Sequence, residues 1–494
     1  MSSTLILGII AAYFCVLILI SFLTSKKGES TDSFFLANRA SPWYVVAFGM
    51  IGTSLSGVTF ISVPGMVANA QFSYLQFILG NMAGYFVVAL VLMPLYYRLN
   101  LVSIYTYLEQ RFGYWSYKTG AAYFILARTL GSAFRLFLVA GVLQLAVFDE
   151  LGVPFEVSVI ITIALIWVYT FRGGMKTIIW TDTFQTLAML VCVGISIIMI
   201  TDELNLDFQG MVNSISESKY SKVFFLDDFK DTKYFWKQFV SGAFISIVMV
   251  GLDQDMMQKN LSCKNLGEAQ KNMFSFTAII LVVNILFLSL GALLYIFAET
   301  KGIALPAKGD MVFPALALNH FTAFAGITFI LGITAITYAS ADSALTALTT
   351  SFCVDFLDFK NRPEAQRVRL KNWTHLGFSA VMAIVIIIFK ILNDESVVQA
   401  VFKVAGFTYG PLLGLYAFGM FNNRPVRDNL VPVVCVLAPV LTFILNYNSK
   451  EWFWGYEFGF EVLLLNGLLT FLGLWAISSR RTGLLTDKDP EAIA

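Results

Sequence analysis

Ile51 to Phe60 reads IGTSLSGVTF, ten residues in the middle of an otherwise apolar segment running from about Tyr44 to Ala70. A helix at membrane depth should be oily, yet Gly52, Thr53, Ser54, Ser56, Gly57 and Thr59 are all small or hydroxyl-bearing. In hydrocarbon, irregular or polar backbone persists only where it is buried in protein or lines a watery cavity. Broken helices of this kind mark binding sites in transport proteins. The competing reading is a tight helix seam, because Gly, Ser and Thr also let membrane helices approach closely.

The rest of the chain supports the membrane setting. Of its 494 residues 57% are hydrophobic and only 13% charged, and the mean hydropathy is +0.73; a soluble domain would have to expose much of that apolar surface. The formal net charge of +1 shows no bias toward nucleic acid. Cys15, Cys192, Cys263, Cys353 and Cys435 have no paired spacing and fall mostly in apolar segments, so neither a disulfide framework nor a metal cluster is expected. His320 and His375, the two histidines, are too far apart in sequence to argue for a metal site. No nucleophile, base or metal constellation suggests an enzyme. The first apolar run, about Leu5 to Leu23, lacks a basic leader and a clear small-residue cleavage site and reads as a retained helix.

With about 20 apolar residues needed per span, roughly thirteen segments qualify, the first centred near residue 14 and the last near residue 467. Placing the N-terminus outside puts 21 Lys and Arg on the inner connections, Lys259, Lys264 and Lys271 among them, against seven outside. The positive-inside rule therefore chooses N-terminus out and C-terminus in. The connections Thr201–Tyr234 and Glu299–His320 are long, lie on the predicted outer face, and have room for short amphipathic helices or lids. The expected division is an extra N-terminal helix and inner loop (1–43), a five-helix repeat (44–200), an outer loop (201–235), a second five-helix repeat (236–421), and two C-terminal helices with a cytoplasmic tail (422–494). Each half holds an odd number of spans, so the two enter from opposite sides as an inverted repeat. The interruption of the first helix falls at Gly52 to Gly57; for the second half the weaker candidates are Ser241, Gly242 and Ser246.

Ionisable residues at membrane depth are costly and mark functional sites by default. Arg128 and Arg135, seven apart, lie about 20° from one another and share a helix face; one of them offers a hold on a solute carboxylate, the alternative being an ion pair or a snorkelling end. Asp182 begins a span and is placed as a helix N-terminal acid. Asp342 lies in ITYASADSALTALTTS (336–351), where Ile336, Ala339, Ser340 and Ser343 form one narrow stripe of a helix beside it. Hydroxyls on such a face, opposite unwound carbonyls, supply the oxygens that hard cations require; the alternative is a packing seam with one paired Asp. Lys237, Lys390 and Lys403 also lie near or inside spans, and Lys237 reads as a helix-end snorkel.

Six ordered motifs, TDSFFLANR (31–39), GTSLSGVTF (52–60), YTYLEQRFG (105–113), GGMKTIIWTD (173–182), DQDMMQKNL (253–261) and YASADSALTALTTSFCVD (338–355), resemble those of the sodium/solute symporter family, over about residues 25 to 425. The resemblance implies an all-α polytopic protein with a leucine-transporter-type five-plus-five inverted repeat and additional helices. It implies a sodium ion held by carbonyls of Gly52 and Leu55, by the carbonyl of Ile336, and by oxygens at the positions of Ala339 and Ser340. Ala339 stands where a hydroxyl residue is usual, so one side-chain ligand is missing. Some members, including sialic acid transporters, bind a second sodium near an acid matching Asp182 and hydroxyls matching Asp342 and Ser343, so one or two Na+ are implied.

For the solute, the resemblance implies Ser54, Ser56 and Thr59, with Phe77 and Asn81 from the next helix. Sugar-carrying members have an acid and an amide where this chain has Val58 and Thr59, and SGVTFISVP (56–64) is more similar to carriers of organic anions, sialic acid or vitamins. Arg135 lies about half a turn from the arginine that holds a carboxylate in sialic acid carriers. The expectation is a monomeric, lipid-embedded symporter of the inner or plasma membrane, importing a small polar organic solute with sodium by alternating access. That solute is expected to be an anion, sialic acid or another carboxylate. The rivals are a sodium/sugar symporter, a proton-coupled symporter using Asp342, and a solute-binding membrane receptor.

Overall fold

The apolar runs become helices because a helix satisfies its own backbone where no water can. The computed structural model describes residues 3–24, 39–170, 175–359, 362–392 and 397–479; most of the TDSFFLANR motif, Arg172, Lys360 and the tail beyond 479 lie outside them. The chain opens with α1 (Ser3–Thr24), then α2 (Trp43–Ser54) and α3 (Gly57–Ala70), separated at the quoted stretch. Next come α4 (Tyr74–Arg98), the short α5 (Thr106–Arg111), α6 (Tyr114–Leu143), α7 (Phe155–Thr170) and α8 (Met175–Glu203). The first long connection carries α9 (Phe208–Ser216). The second half runs α10 (Phe235–Gly251), α11 (Gln254–Leu261) and α12 (Leu266–Lys301). The other long connection carries α13 (Val312–Asn319), and α14 (Ala323–Phe356), α15 (Glu364–Leu392) and α16 (Val397–Phe421) follow. Finally α17 (Val431–Tyr447), α18 (Ser449–Trp452) and α19 (Val462–Ala476) close the described chain.

Among the described residues nine helices are long and apolar enough to cross a bilayer, eleven if each bent pair counts as one span, while α7 and α19 are shorter and apolar. Burial sorts the centre from the rim. In α14 and α16 72% of the apolar window is buried, against 22% in the window that contains α17, so α14 and α16 are packed inside while α17 presents Val433, Val436, Leu437 and Phe443 outward.

Two helices are broken. Between α2 and α3 the axis turns by 58°, with Leu55 at φ −85°, ψ 88° and Ser56 extended at φ −79°, ψ 174°. The Leu55 N–H donates to Ile51 O at 2.7 Å, and the last carbonyls of α2 are left at the break. Between α10 and α11 the turn is 64°, at Leu252 and Asp253. There the Asp253 carboxylate caps α11, accepting from the N–H groups of Asp255 (3.0 Å) and Met256 (3.3 Å).

The second break is not at Ser241, Gly242 and Ser246, which lie within continuous α10. Those residues form a seam instead. A Cβ added to Gly242 would collide with the Phe77 carbonyl of α4, one on Gly80 with the Phe239 carbonyl, and one on Gly84 with the Ser246 hydroxyl. The close-approach use of small residues prevails here, because α4 and α10 pack backbone against backbone.

Candidate functional site

A cavity of about 90 Å³ opens beside the first break, room for several water molecules or part of a small solute. Ser54, Ser56, Thr59, Phe77, Asn81 and Arg135, the six residues expected at the solute, all line it. So do Tyr74 and Tyr85 of α4, Asn284 of α12 and Phe402 of α16. Phe77, Phe402 and Phe460, the last just ahead of α19, cluster at ring separations of 5.1, 5.6 and 4.9 Å, an aromatic cover over one end.

The two arginines of α6 divide. Arg128 hydrogen-bonds Asp255 directly and lies 3.9 Å from Asp253, so it takes the ion-pair role. Arg135, 9% exposed, has no acidic partner within 4 Å among the described residues; its Nη1 donates to the neutral Ser340 Oγ at 3.4 Å. A buried guanidinium with one long neutral contact is under-compensated, and an anion in the cavity would compensate it.

The expected sodium residues are also drawn together. Gly52 packs on α8 and α14: a Cβ there would collide with Thr186 Oγ1 and stand 3.7 Å from the Ala339 Cβ. Gly57 packs likewise on Thr337. Ile336, Ala339, Ser340, Asp342 and Ser343 are all buried in α14. Thr53 donates from Oγ1 to Asp182 Oδ2 at 3.1 Å, tying α2 to α8, so Asp182 is no simple helix-end acid.

Sequence reasoning missed the hub of this region. All eight residues of α11 are buried, and Asp255 and Lys259, four apart, share one face. Asp255 receives Arg128 of α6 and, at 2.7 Å, the Ser343 hydroxyl of α14. Lys259 donates to Asp182 of α8 at 2.5 Å and to Thr53 of α2. Asp253 accepts from the Tyr409 hydroxyl of α16 at 2.5 Å. Lys259 was expected on an inner connection; it is 1% exposed. The available signal was three charges within seven residues of DQDMMQKNL, a density that an exposed loop would tolerate equally well. Lys237 is no snorkel either: it is buried, and its ammonium donates to the carbonyls of Lys230 (3.0 Å) and Glu457 (3.2 Å). Lys390 pairs with Glu156 at 3.1 Å on the surface. The five cysteines are all free.

Two broken helices meeting across a central polar cavity define a membrane transporter of the leucine-transporter type. The comparisons carry this to a family. The model of the sodium:solute symporter family matches residues 34–428, and the chain belongs to that family; it is a sodium-coupled solute symporter, not an enzyme. The sodium/sialic acid symporter NanT of Aliivibrio fischeri is 25% identical over 93% of this chain and 91% of its own length. The sodium/sialic acid symporter SiaT of Proteus mirabilis is 22% identical over 89% and 90%. A solved Na+-coupled sialic acid symporter, in a substrate-bound outward-open state, superposes with a TM-score of 0.81 at 17% identity, covering 96% of this chain and 99% of that one. This last likeness establishes the fold.

Proposed function

We propose that the solute is an organic anion bearing a carboxylate, with sialic acid the leading case, and that it is imported across the inner or plasma membrane by thirteen spans, N-terminus out. The observation that carries the reading is Arg135, buried on the cavity wall with no acidic partner within reach among the described residues. The similarity to sialic acid symporters points the same way. In this reading Ser54, Ser56 and Thr59 of the broken helix and Asn81 of α4 bind the solute's hydroxyls and amide, while Phe77 covers it.

Sodium sits between the carbonyls of Gly52 and Leu55 and the stripe of Ile336, Ala339 and Ser340. It joins the broken helix to α14 and prepares the solute site. Uptake of labelled sialic acid and of simple monocarboxylates into proteoliposomes tests the assignment. Arg135→Ala is expected to raise the apparent KM about 10-fold to 100-fold, the worth of a charged hydrogen bond. An unchanged KM returns Arg135 to packing. Replacing external sodium by choline at fixed pH gradient is expected to abolish uptake, and persistence of uptake would favour protons carried by Asp342.

A further inference from the structure

On the rim of the molecule α7 and α15 run antiparallel: Lys390 near the end of α15 pairs with Glu156 near the start of α7 at 3.1 Å. Trp167, near the end of α7, faces the first turns of α15. Between them lies a surface groove of about 380 Å³, lined by Trp167 and by Val368, Arg369, Asn372, Trp373 and Leu376 of α15. It shares no residue with the solute cavity.

The arginines beside the groove are not equally available. Arg362 donates from Nε to the Leu357 carbonyl at 2.9 Å, and Arg367 donates to the Arg362 carbonyl at 2.8 Å and pairs with Glu364 at 3.6 Å. Those two hold the connection ahead of α15. Arg369 is exposed and has no acid within 4 Å among the described residues. Asn372 Oδ1, one turn further along, is buried and has no hydrogen-bond partner. Trp373 comes next and is 68% exposed. Below it Leu376, Ala380, Ile384 and Ile388, all exposed, continue the face in steps of four. They cover about 18 Å at 1.5 Å per residue, and the hydrocarbon of one leaflet is about 15 Å deep. Cation, polar acceptor, indole and apolar ladder thus follow one another in the order of a phospholipid's parts, with tryptophan at the headgroup boundary where it partitions.

We propose that this groove binds one anionic phospholipid. The Arg369 guanidinium takes the phosphate, whose geometry it matches with two parallel hydrogen bonds. Asn372 accepts from a headgroup hydroxyl, the two tryptophans frame the glycerol backbone, and an acyl chain lies along the apolar ladder. A zwitterionic lipid carries its own ammonium beside the phosphate and gains less from Arg369. With the N-terminus outside, as proposed above, the groove opens to the inner leaflet. The binding chemistry is independent of the solute and of sodium.

The test is native mass spectrometry of the full chain in detergent, titrated with phosphatidylglycerol, phosphatidylcholine or inorganic phosphate. The wild type is expected to retain one phosphatidylglycerol at concentrations about fivefold to tenfold below those needed for phosphatidylcholine, roughly the worth of one basic residue at an anionic headgroup. Arg369→Gln is expected to erase that preference. Arg427→Gln, at an exposed arginine ahead of α17 and outside the groove, is expected to keep it. Equal retention of the two lipids by the wild type, a preference that survives Arg369→Gln, or one lost as fully in Arg427→Gln overturns the site. Inorganic phosphate binding as tightly as the lipid would make it a soluble-anion site and overturn the lipid assignment. Trp373→Leu gives an independent reading should Arg369→Gln not fold: it is expected to weaken retention of phosphatidylglycerol, and unchanged retention overturns the placement.

Discussion

Arg128 and Arg135 occupy one face of α6, as their spacing of seven predicts, yet the fold gives them different partners. Arg128 is compensated by two carboxylates that approach from the start of α11, and removing it strands both in a buried region. Arg128→Ala is expected to destabilise the protein by about 3–5 kcal/mol, the cost of breaking a buried pair, seen as a lowered Tm in detergent without solute. Arg135→Ala leaves no such orphaned charge and is expected to keep the wild-type Tm while losing solute affinity. Equal losses of Tm in the two variants would contradict the division. Helical periodicity revealed the shared face. It could not show which arginine meets an acid, because Asp255 lies 127 positions along the chain from Arg128 and reaches it only after the two halves close on each other.

The two broken helices differ in how visibly their sequences announce them. Around the first, hydroxyls and glycines sit at consecutive positions with no apolar stripe to compete, and the break falls inside Ile51 to Phe60. Around the second, the small residues Ser241, Gly242 and Ser246 are spaced at helical intervals, which is the signature of a seam, and α10 packs them on α4. The break comes later, at Leu252 and Asp253, where an acid caps the second half-helix, α11. An Asp ahead of a polar helical turn is an N-terminal signal, obscured here by the surrounding apolar residues. Gly242→Ala separates the two readings. The new methyl group would press on the Phe77 carbonyl and is expected to cost about 1–3 kcal/mol, typical of overpacking, measured as a lower Tm. The sodium concentration for half-maximal uptake is expected to stay at its wild-type value. A shift in that concentration with stability intact would place the hinge at Gly242 after all.

On the scale of the whole molecule, coupling requires that what sodium changes at its site be felt at the solute site and the reverse. On the proposed sites the shared element is Ser340. It belongs to the stripe of α14 that faces Gly52 across the first break, and its hydroxyl accepts the Arg135 guanidinium from the cavity side. On the proposed sodium site, an ion drawing on the same oxygen would set where α14 stands relative to α6, and so where Arg135 points. Because binding free energies are reciprocal, the factor by which sodium tightens solute binding must equal the factor by which solute tightens sodium binding, commonly about 5 to 150. Ser340→Ala removes the shared oxygen without adding bulk. It is expected to weaken each ligand alone and also to bring both factors together toward one, measured by titrating solute at low and saturating sodium and sodium at low and saturating solute. Arg135→Ala, in contrast, is expected to weaken the solute while leaving sodium binding in its absence nearly unchanged, since the guanidinium has no place among the sodium oxygens. If Ser340→Ala weakened sodium but preserved the coupling factor, the signal would have to run through the broken helix alone, from Gly52 and Leu55 to Ser54 and Ser56, and α14 would be a fixed wall rather than a moving partner.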